Sequence, residues 1–278
     1  MNDVSTPVKE YQTLQLSIEN KIAHVQFNRP QKANALNKLA WEELKDCFEQ
    51  LDETPEARVI VLSGNGKHFC SGIDISLLMG MRQQVDDKCE GRMREKLRKM
   101  VFHLQAPINA IEKCSKPVLA AIHGGCIGGG VDIVTACDMR YATQDAYFTV
   151  KEIDMGMVAD LGTLQRLPKL IGEGIAREMA YTGRKVASAE AKDVQLVNSV
   201  YADKEEMMAK VMELAQLIAA KSPLSIRGSK AVLNYTRDHS VEDGLNFIAT
   251  WNAAMIMSDD LATALQASMM KQTPEFKD

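Results

Sequence analysis

The sequence predicts an α/β fold, and three observations carry that prediction. Two segments follow one plan, "VIVLSG…CSGID" and "VLAAIHG…GGGVD": an apolar strand, a glycine turn, then Gly–apolar–Asp where a helix begins. Series of strand, turn and helix build α/β architectures. Both strand runs are short and continuously apolar, as strands buried on both faces of a parallel sheet are. From Ala187 onward the chain reads as mostly helical.

The elements follow in order. Residues 13–28, "TLQLSIENKIAHVQFN", read as two strands around a turn at "EN". Leu36, Ala40, Leu44, Phe48 and Leu51 then recur at helical spacing, with Asn34 or Asn37 available as the cap. "ARVIVLSGNG" is a buried strand, and "KHFCSGIDISLLMG" turns into another helix. Met93, Leu97, Met100, Val101, Leu104, Ile108 and Ile111 share one helical face, which Pro107 is expected to kink or split. "KPVLAAIHGG" is again a strand, and "GGVDIVTACDMRYAT" again enters a helix. "KEEMMAKVMELAQLIAAKS" is amphipathic, and "SVEDGLNFIATWNAAMIMSDDLATALQASMM" is a long apolar-rich stretch without strand signals. It either packs across a neighbouring subunit or completes its own core.

Composition narrows the function classes. With 278 residues, 25% charged and 46% hydrophobic, the chain can bury a full core. A net charge of −4 argues against a nucleic-acid partner, which selects for a basic face. The six cysteines (Cys47, Cys70, Cys89, Cys114, Cys126, Cys137) never come closer than eleven residues, which suits reduced thiols better than a disulfide framework or metal knuckles. The five histidines show no HxxxH or HExxH spacing, so no metal is expected. The amino end is polar and carries neither a secretory nor a transit signal, and "QTPEFKD" has no peroxisomal tripeptide; the resulting expectation is a cytoplasmic protein. Pro117 to Cys137 is long enough to span a bilayer, but a proline opens it, five glycines interrupt it and Asp132 sits inside it, so no membrane association is expected.

The chemistry concentrates in "HGGCIGGGVD", His123 to Asp132. Glycine lets backbone amides approach a ligand closely. Such a stretch could hold a phosphate, stabilise an oxyanion, or only pack a helix tightly against a strand. The order GGxxGGG is not the dinucleotide fingerprint, and neither GxxxxGK[ST] nor GxSxG occurs. Two glycine turns at two helix starts could each aim an N–H at a developing oxyanion. A second cluster, "VKEIDMGMVADLGTLQRLP", brings Glu152, Asp154 and Asp160 within nine residues. Asp154 reads as surface or turn; Glu152 and Asp160 are either chemical groups or solvated acids, Asp160 being also a possible helix cap.

"NRPQKANALN", "HFCSGIDI", "HGGCIGGGVDIVTACDMRYATQDAYF" and "VKEIDMGMVADLGTLQRLP" together resemble the crotonase (enoyl-CoA hydratase/isomerase) superfamily and, within it, the dienoyl-CoA isomerase branch. The likeness continues through "YTGRKVASAEA", "KSPLSIRGSK" and "YTRDHSVEDGLNFIATWN", nearly the whole chain from about residue 12. It implies a spiral of ββα units over residues 12–200, a helical trimerisation region over 201–278, and a disordered tail over 1–11. It also implies a trimer or hexamer, an acyl-CoA substrate, and no cofactor beyond the coenzyme A thioester itself. By resemblance the oxyanion hole falls on the amides of Ile73 and Gly129, and Ser71, Gly72, Ile73, Asp74, Ile75 and Gly129 line the substrate. Hydratases carry two glutamates; here the first position is Asp132, the second is Glu152, and Asp160 adds a third acid. The resemblance makes Glu152 the base at C2, Asp160 the acid at C6, and Asp132 a neighbour that tunes or positions them. This implies conversion of 3,5-dienoyl-CoA to 2,4-dienoyl-CoA in unsaturated fatty-acid β-oxidation. The alternatives are hydration of a 2-enoyl-CoA and a non-catalytic acyl-CoA- or RNA-binding relative. One departure is Val158, where the branch often carries a smaller residue.

Overall fold

The computed structural model describes residues 9–278. Strands β1 (Leu14–Glu19) and β2 (Ile22–Phe27) form an antiparallel hairpin. Its turn falls on Asn20–Lys21, one residue later than the sequence suggests, and both residues take positive φ (51° and 65°) as a tight hairpin turn demands. Helix α1 (Lys38–Glu53) is capped by Asn37, whose side chain accepts the Ala40 N–H at 2.9 Å. Asn34, the other candidate, clamps two loops instead, donating to the carbonyls of Asn65 and His68.

Strand β3 (Val59–Gly64) is buried throughout and leads through the first glycine turn to α2 (Ile75–Val85) and α3 (Glu90–Lys113). Of the two outcomes expected at Pro107, the split does not occur: α3 is continuous through it. The ring removes one N–H from the ladder, but Ile108 and Ile111 beyond it are buried and α3 packs on α1 and α4, so packing outweighs the lost bond. Strands β4 (Val118–Ile122) and β5 (Gly125–Ile127) precede α4 (Gly129–Ala136), β6 (Met139–Thr143) and β7 (Tyr147–Thr149). Then come α5 (Thr163–Ile171), α6 (Glu173–Thr182), β8 (Val186–Ala187), α7 (Ser188–Asp193) and β9 (Ser199–Tyr201). β9 interrupts the stretch read as helical; three residues are too short to show a strand period, and it exists because β6 offers an edge. Helices α8 (Lys204–Ala219), α9 (Pro223–Thr236), α10 (Val241–Met255) and α11 (Asp259–Met270) complete the chain, with Ser258 capping α11 and dividing the long apolar stretch.

The main sheet runs β1-β2-β3-β4-β6-β9, parallel from β2 onward; a second sheet has the order β5-β7-β8. Side chains alternate across β3. Ile60 and Leu62 face the large core shared with α1, α3 and α4, while Val59 and Val61 face Met207, Val211, Ala215 and Ala219 of α8. Helix α8 therefore belongs to the body of the fold. Of the expected amino-terminal tail, residues 1–8 lie outside the described residues, while Lys9 and Tyr11 are tied to Asp46.

Candidate active site

The site forms where three chain segments leave the sheets side by side. β5 and β7 are parallel with Ile127 opposite Thr149, and the Gly128 N–H closes their ends onto the Thr149 carbonyl at 2.9 Å. One strand continues into α4 and Asp132; the other continues into a 3₁₀ turn that opens at Glu152. The third segment joins through Cys70, bridged in parallel to Cys126, and runs on through Ser71, Gly72 and Ile73.

Backbone geometry leaves two amides facing this junction. Leu36 forms a parallel bridge with Ile73: its N–H goes to the Gly72 carbonyl (2.8 Å) and its carbonyl takes the Asp74 N–H (3.0 Å). In such a bridge the N–H of Ile73 itself points to the opposite side. Gly129 is the first residue of α4, so its N–H has no partner inside the helix and lies at the positive end of the helix dipole. The two backbones are in contact: a Cβ on Gly72 (φ 87°) would lie 3.2 Å from the Gly129 nitrogen and 2.8 Å from the Ile127 carbonyl oxygen. Gly72 is thus required for both its conformation and its clearance. Across Gly128 the clearance is toward an acid, since a Cβ there would meet Glu152 Oε1 at 3.0 Å.

The three acids named from the sequence meet here. Asp132 is 1% exposed on the first turn of α4. Its Oδ1 accepts both the backbone N–H and the hydroxyl of Thr163, each at 2.7 Å, while Oδ2 is buried without a partner. Burial lifts its pKa to about 6, against the pull of the Thr163 bonds, and the Asp160 charge adds to the rise. Glu152 also keeps a buried, unpartnered oxygen, Oε2. Burial first, then the charge of Asp132, carries it up to about 7. Asp160 stands at the exposed edge of the group and is raised by partial burial. Asp154 is exposed and paired with Lys151, as a turn residue.

Asp160 is not the cap of α5. That position is held by Gly162, which has no side chain to offer, and Asp132 caps the helix from outside. Sequence reading missed this role of Thr163. The available signal was a helix start, "LGTLQRL", with no capping side chain at the required place. It also missed Gln105, whose Nε2 holds the Asp160 carbonyl at 2.6 Å, and Trp41, whose ring edge would lie 3.5 Å from a Cβ on Gly129. Asp74 caps α2 through the Ser76 N–H and pairs with Arg29 at 3.2 Å; Ser71 and Ile73 are half-buried and Ile75 is exposed. Beside Trp41, the helices α1, α2 and α3 enclose a cleft of about 740 Å³ with Leu77, Met81, Val85, Leu104 and Pro107 among its apolar lining. The described residues include no group of three potential metal ligands and no helix long and apolar enough to cross a membrane.

An α/β body with a glycine junction beside buried carboxylates fits the class of protein that the comparisons identify. Residues 17–278 match the enoyl-CoA hydratase/isomerase family profile, and the chain belongs to that family. An enoyl-CoA hydratase from Bacillus anthracis superposes with a TM-score of 0.87 at 30% identity, over 96% of this chain and 99% of that one. Within the family, the chain is 48% identical to the peroxisomal Δ3,5-Δ2,4-dienoyl-CoA isomerase of Arabidopsis thaliana, over 97% of this chain and 98% of the relative. It is 46% identical to the mitochondrial Δ3,5-Δ2,4-dienoyl-CoA isomerase of Mus musculus, over 94% and 81%. These relatives overturn the expectation of a cytoplasmic protein, because both are proteins of organelles. That expectation rested on motifs absent from the two ends, and the composition of a folded catalytic body carries no address of its own.

Proposed function

We propose that this chain is a Δ3,5-Δ2,4-dienoyl-CoA isomerase acting on unsaturated fatty acyl thioesters in β-oxidation. The named relatives support the reaction, and one observation carries its mechanism: three acids, rather than two, gather beside the paired amides. Glu152, with an unpartnered oxygen and an affinity for protons near neutrality, takes the proton from C2. The C2 electron pair forms a C2–C3 double bond as the C3–C4 double bond moves to C4–C5. The former C5–C6 pair then takes a proton at C6 from Asp160, whose raised pKa keeps a larger share of it protonated. The thioester oxygen gathers charge on the way, and we assign the N–H groups of Ile73 and Gly129 as the donors that receive it; each such donor is typically worth about 10²–10³ in rate. Asp160 is exposed and exchanges protons with solvent between turnovers. Nothing in this sequence of proton transfers calls for a metal or a redox cofactor.

The cleft beside Trp41, lined by Leu77, Met81, Val85, Met100 and Leu104 with charged side chains such as Lys38, Lys96 and Lys99 among them, supports an acyl substrate. A homo-oligomer, trimer or hexamer, is supported by the apolar side chains that α9, α10, α11 and the turn between the last two leave exposed, among them Leu233, Leu245, Ile256, Met257 and Met269. The test is the near-ultraviolet absorbance of 3,5-dienoyl-CoA mixed with the protein. Conjugation raises the long-wavelength absorbance, and Glu152→Gln should lower that rate by about 10²–10⁴. Hydration of a 2-enoyl-CoA with no isomerisation would instead make the chain a hydratase.

A further inference from the structure

We propose that Thr163 is the positioning residue of this site, fixing Asp132 and, through the start of α5, the place of Asp160. The inference rests on the isomerase reading. Thr163 is 1% exposed and gives both its donors to one oxygen of Asp132, so that carboxylate is held through Oδ1 while Oδ2 stays buried without a hydrogen-bond partner. The backbone bond supplies the cap that Gly162 lacks, and the hydroxyl bond doubles it, so that the two tie the first turn of α5 to the first turn of α4. Asp160 lies three residues before Thr163, on a stretch containing Gly162 at φ 128°, a conformation that does not fix itself. Its other anchor comes from α3, where Gln105 holds the Asp160 carbonyl. The acid at the far end of the substrate is therefore held from two helices. One of those holds passes through Thr163 to the acid beside the base.

This arrangement couples distance and charge. The hydroxyl of Thr163 holds Asp132 toward its ionised form, and ionised Asp132 raises Glu152. Thr163→Val keeps the shape and the backbone N–H but removes the hydroxyl. Asp132 then holds its proton more readily, Glu152 loses its proton more readily, and Asp160 is less firmly placed.

The experiment is the dienoyl-CoA absorbance assay on wild type, Thr163→Val and Thr163→Ser across pH 5 to 9. For Thr163→Val we expect kcat to fall about ten-fold, as loss of one hydrogen bond to a charged group does. KM should stay within about two-fold, and the acid limb of the pH profile should move to lower pH, which mere loosening would not do. Thr163→Ser restores both kcat and the limb. Two results overturn the inference: a Thr163→Val enzyme with wild-type kcat and profile, or a Thr163→Ser enzyme impaired as deeply as Thr163→Val. If Thr163→Val does not fold, Thr163→Ser alone decides: wild-type behaviour supports the role, a ten-fold loss overturns it. A wild type silent toward 3,5-dienoyl-CoA overturns the isomerase reading and this inference together, whereas an active wild type beside an unaffected Thr163→Val overturns only the role of Thr163.

Discussion

The two glycine turns contain nearly the same tripeptide, Gly72-Ile73-Asp74 and Gly130-Val131-Asp132, yet their acids live under opposite conditions. Asp74 stands one residue before its helix, caps it, and pairs with Arg29; the Ser76 bonds and the guanidinium hold its pKa below the usual carboxylate range. Asp132 is the fourth residue of its helix, buried, and raised, its burial outweighing the opposing charge of Arg166. What separates them is where the helix begins. In the first turn α2 starts after the acid, so the carboxylate serves its own helix. In the second the extra glycines let α4 start early, at Gly129, and the carboxylate is carried one turn inward to serve a neighbouring helix and the site. A helix start displaced by four residues turns a cap into chemistry.

Three substitutions test this contrast, from the largest effect to the smallest. Gly72→Ala attacks what the two turns share. A Cβ at φ 87°, 2.8 Å from the Ile127 carbonyl oxygen, forces the turns apart and misplaces the Ile73 amide. We expect kcat to fall by about 10²–10³, the worth of one oxyanion donor, with thioester binding less affected. Wild-type turnover in a folded Gly72→Ala enzyme would remove Ile73 from the mechanism.

Asp132→Asn attacks the buried acid alone. A raised carboxylate gives the folded state stability below its unfolded pKa, near 4, and loses it as pH rises through the folded value, about 6. Wild-type protein should therefore lose on the order of 2 kcal/mol between pH 4 and pH 7 through this one group. Asp132→Asn should flatten that part of the curve of stability against pH, measured by chemical denaturation. It should also shift the acid limb of kcat downward, because Glu152 no longer sits beside a negative charge.

Asp74→Ala attacks the half-buried, paired counterpart and should have the opposite sign. A depressed carboxylate stabilises above its unfolded pKa and gives that up as pH falls. Loss of the cap should cost about 1 kcal/mol at neutral pH, and the deficit should shrink as acid protonates the wild-type carboxylate. A Tm deficit that persists in acid would mean that Asp74 acts through packing.

Much of this site was legible before any coordinates, and the reason is local. The glycine turns, the strands β3 and β4 and the trio Asp132, Glu152 and Asp160 each sit within a few residues of a pattern that physics makes recognisable. The hairpin turn slipped by one residue because "EN" and "NK" are equally good at adopting positive φ. Pro107 does not divide its helix because local breakage was outvoted by burial of Ile108 and Ile111 beyond it. Thr163 and Gln105 were invisible for a different reason. Their partners lie 31 and 55 residues away, and no spacing rule reaches across helices whose relative placement is set only by the core.

The two free oxygens, Asp132 Oδ2 and Glu152 Oε2, give the site a further property. With proton affinities centred near pH 6 and pH 7, the pair makes the empty site a small buffer poised around neutrality. An acyl chain that slides over it strips away what water remains and raises both affinities further. Arrival of the substrate should then draw a fraction of a proton out of solution, and departure of the product should give it back. The tightness with which this enzyme grips its thioester thus becomes a function of pH, even though the thioester carries no titrating group at the point of contact.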